Sequence, residues 1–237
     1  MEKREFVKAN ELAENPTPRV PICLCLDTSA SMNIPTGEGY ETRIQALQKG
    51  VESLIRELNE DEIARYSAEL SVLTFNDRTK CLMEFTNISK VRAFPTMQAS
   101  GMTNMGEAVN RGLDMLEEEK DRYRSQGVDY YQPWLIIMTD GMPNGRVDEL
   151  ERAFERTSRM VRARKLVVIA VGIGKDAGMQ CLDRFSPSLP AMRLKGMRFR
   201  EFFAWISSSI KQVSQSMPGE ELVLTEPDCI DWNVIGR

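Results

Sequence analysis

Three short segments, far apart in the chain, carry oxygen-bearing side chains that together can bind a divalent cation. The first is an Asp-x-Ser-x-Ser sequence, the second is a single threonine in a loop, and the third is a Thr-Asp-Gly sequence. The candidate ligands are Asp27, Ser29, Ser31, Thr103 and Asp140. Carboxylate and hydroxyl oxygens are hard ligands, so we expect Mg²⁺ or Mn²⁺, with Ca²⁺ also compatible.

The residue types that are missing restrict the chemistry further. No histidine occurs among the 237 residues, which excludes imidazole as a metal ligand, a general base or a triad member. Haloacid-dehalogenase-type phosphatases also place an aspartate after a central strand, but they need a second aspartate where Ser29 stands. Cys181 has no histidine to activate its thiol. We therefore predict that the chain is not an enzyme, and a metal-dependent phosphatase-like hydrolase is the weakest alternative.

Length and composition favour a cytoplasmic protein built on one large domain. Hydrophobic residues make up 42% of the chain and charged residues 28%, as in ordinary globular proteins. The net charge of −4 argues against a nucleic-acid partner. The N-terminus lacks the apolar core of a signal peptide, and no apolar stretch approaches the roughly 20 residues that span a membrane. Five cysteines are an odd number, so we expect thiols, with Cys23 and Cys25 packed in the core.

Apolar runs alternate with amphipathic helical patterns along the chain. Strands are predicted at 20–26, 69–75, 80–85, 134–139 and 166–171, and helices at 42–59, after Thr103, at 147–161 and near 199–213. This alternation predicts an α/β fold with a doubly wound, mostly parallel sheet and helices on both faces. The short polar joint at 76–79 predicts a hairpin, and hence one antiparallel edge strand.

The two ends of the chain lack the strand and helix alternation of its centre. We predict an N-terminal arm at 1–20, a domain at 21–217 and a C-terminal tail at 218–237. Within the tail, Leu222-Val223-Leu224 can add an edge strand, or the tail can dock on a partner.

The fold class also predicts how the candidate ligands meet. Asp27 follows the first apolar strand and Asp140 follows the strand at 134–139. Open α/β sheets bind ligands beyond the carboxyl ends of their strands, where the strand order reverses. If these two strands are neighbours, both carboxylates reach one site, and Thr103 approaches from the loop before the next helix. Each Ser or Thr taken alone can equally cap a helix, so the prediction of a metal site depends on all three segments together.

These segments resemble the metal-ion-dependent adhesion site of von Willebrand factor A domains. The resemblance extends from about Pro21 to about Met217. The stretches at 136–143 and 200–206 are most similar to the bacterial von Willebrand factor A proteins associated with tellurite resistance (TerY-like). Ala30 stands where many relatives have glycine, and its methyl group is tolerated if φ is negative.

The resemblance implies a role in recognition. Ser29, Ser31 and Thr103 would touch the metal directly, while Asp27 and Asp140 would often act through water. An open metal position would then accept an Asp or Glu carboxylate of a partner protein. By the same resemblance, the partner would be a phosphatase, a kinase or a ring-shaped AAA ATPase of a stress-response system. The alternative is a structural scaffold with an accessory metal site.

Several methionines lie beside the proposed ligands. They are Met32, Met102, Met105 and Met142. Flexible thioether side chains can form an adaptable rim around a binding site, but they also fill gaps in a core. The sequence favours the second role for most of them.

Overall fold

The computed structural model describes residues 15–37, 41–218 and 226–231. Within these ranges a seven-stranded sheet forms the centre of the molecule. Its strands are β1 (Val20–Asp27), β2 (Ala68–Phe75), β3 (Thr79–Asn87), β4 (Trp134–Thr139), β5 (Val167–Ile173), β6 (Met192–Leu194) and β7 (Ile230–Asp231). The order across the sheet is β3-β2-β1-β4-β5-β6-β7.

Helices flank both faces of this sheet. They are α1 (Arg43–Glu60), α2 (Ala64–Ser67), α3 (Met105–Ser125), α4 (Val147–Arg162), α5 (Met179–Asp183) and α6 (Phe199–Ser214). Two 3₁₀ turns, Ala30–Asn33 and Ile88–Lys90, follow β1 and β3. Among the described residues, none of the helices combines the length and apolar composition needed to cross a membrane.

The pairing of the strands confirms the predicted fold class. Strand β1 pairs in parallel with β2 and β4, and the parallel ladder continues through β5 to β6. Strand β3 returns antiparallel to β2, as the hairpin pattern predicts. The far edge also ends in a short antiparallel strand, β7, which pairs with β6. The predicted candidate for this edge, Leu222–Leu224, lies outside the described residues.

The alternation of side chains along β1 places residues in two separate cores. Ile22 and Leu24 face α1 and α6, while Cys23 and Cys25 face α3 and α4. Both cysteines are fully buried, as predicted, and every cysteine of the chain is a free thiol. A strand covered on both faces needs apolar residues at every position, which explains the continuous apolar run in the sequence.

The predicted N-terminal arm lies largely outside the described residues. Within its described part, Arg19 is 1% exposed, and its Nε donates to the Glu69 carboxylate at 3.1 Å. The predicted end of the arm, Val20, is the first residue of β1. The division into arm, domain and tail stays a prediction.

The sheet reverses its winding between β1 and β4. The chain runs from β1 outward to β2 and β3, and then returns to β4 on the other side of β1. Asp27 is the last residue of β1, and Asp140 follows directly after β4. Leu26 and Met138 are register partners, so the two aspartates leave adjacent strands at the same edge. This crevice is the position that open α/β sheets use for ligands.

Candidate metal centre

Asp27 is buried at the floor of the crevice and held from two sides. Its Oδ1 accepts the backbone N–H of Ser29 at 2.7 Å, and its Oδ2 accepts the hydroxyl of Thr139. The side chain is fully removed from solvent. The carboxylate therefore has a fixed orientation before any ligand arrives.

The two serines connect this floor to the second aspartate. The Oγ atoms of Ser29 and Ser31 lie 3.0 Å apart, and the Ser31 hydroxyl donates to Asp140 Oδ1 at 2.6 Å. Asp140 is 1% exposed. Asp27, Ser29, Ser31 and Asp140, predicted from segments more than a hundred residues apart, thus lie in one hydrogen-bonded group.

Thr103 lies beside this group and is hydrogen-bonded to the loop that carries Asp140. A Cβ atom placed on Gly141 would lie 3.5 Å from Thr103 Oγ1. The backbone N–H of Thr103 donates to Asn144 Oδ1 at 2.7 Å, and Asn144 N–H donates back to the Thr103 carbonyl at 3.1 Å. The structure therefore brings all the candidate ligands to one edge of the sheet.

The loop before Thr103 is anchored by residues that the sequence did not single out. The backbone N–H of Met102 donates to Asp77 Oδ1 at 3.0 Å, and Ala30 N–H donates to the Gly101 carbonyl at 3.0 Å. The only sequence signal for Asp77 is its place in the polar joint between β2 and β3. Arg164 is the single non-glycine residue of the described ranges with positive φ, so Ala30 is accommodated without strain.

The environment of Asp27 opposes its charge. Burial raises the pKa of Asp27 to about 6, the hydrogen bonds from Thr139 and Ser29 act in the opposite direction, and the nearby Asp140 carboxylate adds to the rise. A cation between the two carboxylates would favour the ionised form.

The donor set fits a hard divalent ion. Its side chains offer only oxygen atoms, from two carboxylates and three hydroxyls. No group of three or more His, Cys, Asp or Glu side chains with metal-binding geometry occurs in the described part of the chain. A site here would therefore draw on neutral hydroxyl groups as well as carboxylates, which suits Mg²⁺ or Mn²⁺ better than a thiolate- or imidazole-seeking metal.

Arg43 is the charged residue of this centre that sequence reasoning missed. Its Nη1 lies 2.6 Å from Asp140 Oδ2, and its side chain is 11% exposed. Arg43 is the first residue of α1, directly after the Thr42 cap. Its one sequence signal is this place in the helix that follows the first ligand segment.

The methionines beside the site divide into two pairs. Met32 and Met105 are fully buried, as the core-filling prediction requires. Met102 and Met142 are instead 55% and 61% exposed. The Met142 thioether lies against Gly178, where any Cβ atom would collide with its sulfur. The core-filling prediction is therefore wrong for Met102 and Met142, which form part of the surface around the site.

The family model of the von Willebrand factor type A domain matches residues 22–197. The chain belongs to this family. Von Willebrand factor A (VWA) domains commonly carry metal-ion-dependent adhesion sites that mediate protein interactions, and they are generally not catalysts. No curated protein matches the chain.

Solved VWA-type structures share the fold at low sequence identity. A von Willebrand factor type A protein from Catenulispora acidiphila aligns with a TM-score of 0.59 at 14% identity, over 82% of this chain and 43% of its own. The pilus adhesin SpaC from Lactobacillus rhamnosus GG gives 0.64 at 14% identity, over 83% and 31%. Proximal thread matrix protein 1 from the mussel byssus gives 0.53 at 17% identity, over 84% and 47%. The chain thus spans less than half the length of each of these proteins.

Proposed function

We propose that this VWA domain is a metal-ion-dependent protein-binding module. A divalent ion held by Asp27, Ser29, Ser31, Thr103 and Asp140 would accept an Asp or Glu side chain of a partner protein. The hydrogen-bonded group of Asp27, Ser29, Ser31 and Asp140 at the point where the sheet reverses, with Thr103 beside it, is the observation that carries the proposal.

The candidate ligands would contribute to ion binding in two ways. Ser29, Ser31 and Thr103 offer neutral hydroxyl oxygens, and Asp27 and Asp140 offer the negative charge, directly or through water. When bound, the ion supplies an electrophilic open position that a carboxylate oxygen can fill. Because neutral ligands compensate little of the ion's charge, a partner's carboxylate is attracted strongly.

The surface around the centre suits a protein partner better than a small substrate. Met102, directly before Thr103, and Met142, directly after Gly141, are both exposed. Ile34, whose backbone N–H donates to the Ser31 carbonyl, is 46% exposed. Exposed apolar side chains around a polar centre are typical of binding surfaces. Burial raises the pKa of Cys181 to about 11, so its thiol stays protonated at neutral pH and is a poor nucleophile.

The thiols and the sequence resemblance suggest a cellular setting for this module. Five unpaired thiols fit a reducing compartment, and we place the protein in the cytoplasm. The stretches at 136–143 and 200–206 resemble the VWA proteins associated with tellurite resistance, and on this resemblance we propose a role in a bacterial stress or tellurite-resistance system. A phosphatase, a kinase or an AAA ATPase of the same system would then present the acidic residue.

Thermal unfolding of the metal-stripped protein tests the metal centre. Addition of Mg²⁺, Mn²⁺ or Ca²⁺ at 100 times the dissociation constant should stabilise the fold by about 2.7 kcal/mol. For a chain of this size, the expected rise in Tm is roughly 5–10 °C. Asp27→Ala and Thr103→Ala should each abolish the rise, because each removes an oxygen ligand.

The comparison with a distant variant makes this result specific. Asp121→Ala, which removes an exposed carboxylate far along α3, should keep the full metal response. The same response in Asp27→Ala, or no response to any of the three ions, would contradict the proposed centre. For a partner found later, binding that persists unchanged in chelator would rule out metal-dependent recognition.

A further inference from the structure

The metal centre contains a cation of its own. Arg43 Nη1 contacts Asp140 Oδ2 at 2.6 Å, while the other oxygen of Asp140 accepts the Ser31 hydroxyl. Asp140 is therefore satisfied on both oxygens by groups of this chain. A divalent ion placed among these ligands would lie close to a guanidinium that always carries a positive charge.

The fold holds this guanidinium in place from two directions. Arg43 begins α1, where the Thr42 and Gln45 side chains form a capping box and Arg43 N–H donates to the Ile34 carbonyl at 3.0 Å. On the other side, a Cβ atom on Gly174 would lie 3.5 Å from Arg43 Nη2. The side chain thus lies between the start of α1 and the turn after β5.

The geometry of Arg43 is directed at Asp140 and at little else. Its Nε is buried and has no hydrogen-bond partner within the described structure. Arginine–carboxylate pairs frequently use the planar fork of the guanidinium for two parallel contacts. Here a buried donor stays unpaired while Nη1 reaches the carboxylate, so the charge contact determines the orientation of the side chain.

We propose that Arg43 is an internal counter-cation of the metal centre. It holds Asp140 in place when no divalent ion is bound, and it lowers the affinity of the centre for that ion. Two physical effects produce this: like charges repel, and the guanidinium and the ion compete for the same carboxylate. The inference rests on the proposed function, because it assigns a regulatory role within the same metal centre.

The consequence is a centre that binds its ion more weakly than the same oxygen ligands would without Arg43. Two carboxylates and one guanidinium leave a net charge of about −1 rather than −2, as counted from the ionised side chains. An ion held this weakly keeps more of its attraction for an external carboxylate. Arg43 would then make the centre bind the ion alone more weakly, and a larger share of the total binding energy would come from the ion together with the partner's carboxylate.

Direct titration of the metal-stripped protein with Mn²⁺ and Mg²⁺ tests the inference. Arg43→Gln should bind Mn²⁺ about tenfold more tightly than the native protein, because a unit charge beside a divalent ion is removed. Arg43→Lys keeps the charge and should stay close to native affinity. Lys49→Gln removes the same charge from an exposed position six residues further along α1, and should leave the affinity unchanged.

Thermal unfolding of the same variants separates this role from simple structural support. In chelator, Arg43→Gln should unfold at a lower temperature than the native protein, because Asp140 loses its partner. In saturating Mn²⁺ the difference should shrink or reverse, because the ion replaces the guanidinium. An equal loss of Tm in both conditions would identify Arg43 as a structural ion pair and overturn the inference.

The outcomes also separate this inference from the proposed function. If the native protein binds Mn²⁺ and Arg43→Gln binds it equally or more weakly, the counter-cation role fails while the metal centre stands. If native protein and variants all fail to bind either ion, both the centre and the role of Arg43 are excluded.

Discussion

At the scale of single residues, the centre depends on a loop that a glycine allows to turn. Gly101 has a φ of +73°, in the left-handed region that side chains disfavour, and any Cβ there would collide with the Asp77 carboxylate. Asp77 in turn accepts the Met102 N–H, one residue before Thr103. Gly101 and Asp77 therefore set the position of the Thr103 hydroxyl without touching the site.

Replacement of Gly101 by alanine should reduce both stability and metal binding. The left-handed backbone costs about 1–2 kcal/mol for a residue with a Cβ, and the displaced Asp77 releases the Thr103 loop. We expect a lower Tm in chelator and a smaller rise on addition of Mn²⁺, both measured by thermal unfolding.

Gly127→Ala is the matched control. Gly127 has a similar φ of +66°, but a Cβ there would meet no atom within 4 Å. This variant should lose a similar backbone energy and keep the full response to Mn²⁺. If both variants respond equally to Mn²⁺, the Asp77 contact does not position Thr103.

At the scale of elements, the separation of α3 and α4 sets the distance between the Thr103 loop and the Asp140 loop at the crevice. Helix α3 begins two residues after Thr103, and α4 follows the loop that carries Asp140. A Cβ on Gly106 would lie 2.6 Å from the backbone nitrogen of Leu150. The two helices approach this closely because position 106 has no side chain, which keeps the two loops together.

Gly106→Ala should push the starts of these helices apart. Backbone atoms cannot move aside as a flexible side chain can, so overpacking should cost about 1–3 kcal/mol, which exceeds the gain of up to about 1 kcal/mol in helix propensity. Urea unfolding should show this loss, and Mn²⁺ titration should show weaker binding as Thr103 moves away from Asp140.

Gly112→Ala provides the comparison on the same helix. Its Cβ would lie 3.2–3.3 Å from Cys23, Cys25 and Leu135, which are core residues of β1 and β4, and its three nearest atoms include none from the Thr103 or Asp140 loops. Mn²⁺ affinity should stay native in this variant. Native affinity in Gly106→Ala as well would show that the α3–α4 spacing does not control the centre.

At the scale of the whole molecule, the two ends of the sheet carry different buried charges. The carboxyl ends of β1 and β4 carry the proposed metal centre, while the opposite end buries Glu69 among charged groups. Glu69 accepts from Arg19 at 3.1 Å, from Arg122 at 3.0 Å and from the Tyr123 hydroxyl at 2.8 Å, and Glu119 lies beside it. This second cluster ties α3 to the starts of β1 and β2.

The cluster should make stability depend on pH. Burial, together with the neighbouring Glu119 carboxylate, raises the pKa of Glu69 from 4.5 to about 7. Between these pH values the folded chain keeps a proton that the unfolded chain has lost. The free energy of unfolding should therefore fall as pH rises through this window, by up to about 1.4 kcal/mol per pH unit.

Urea unfolding at pH 5 and pH 7.5 measures this effect. Glu119→Gln removes the like charge, lowers the pKa of Glu69 and should make the fall in stability smaller. Glu117→Gln, on the same helix but paired with Lys120 and half-exposed, should keep the native pH dependence. An unchanged slope in Glu119→Gln would mean that the two carboxylates do not titrate together.

The sequence by itself predicted the architecture and the types of the candidate ligands. Short continuous apolar runs are typical of strands covered on both faces, and their alternation with amphipathic helices favours a doubly wound sheet. That topology lets Asp27 and Asp140 meet if β1 and β4 are neighbours, and the strand order of the structure confirms that they are. The bounds predicted for the main strands and for α1, α4 and α6 differ from the observed ones by about two residues at most. For α3 only the start was predicted, and small elements such as β6 and β7 are too short to show a period.

Only the tertiary structure decided what surrounds the ligands. Arg43 and Asp140 are 97 residues apart, and their contact depends on how α1 packs on the sheet. Hydrophobic periodicity predicts which face of a helix is buried, but it does not predict where a charged side chain at the start of the helix points. For the same reason the sequence could not separate buried Met32 from exposed Met142: both are apolar neighbours of ligands, and exposure depends on which loops cross above them.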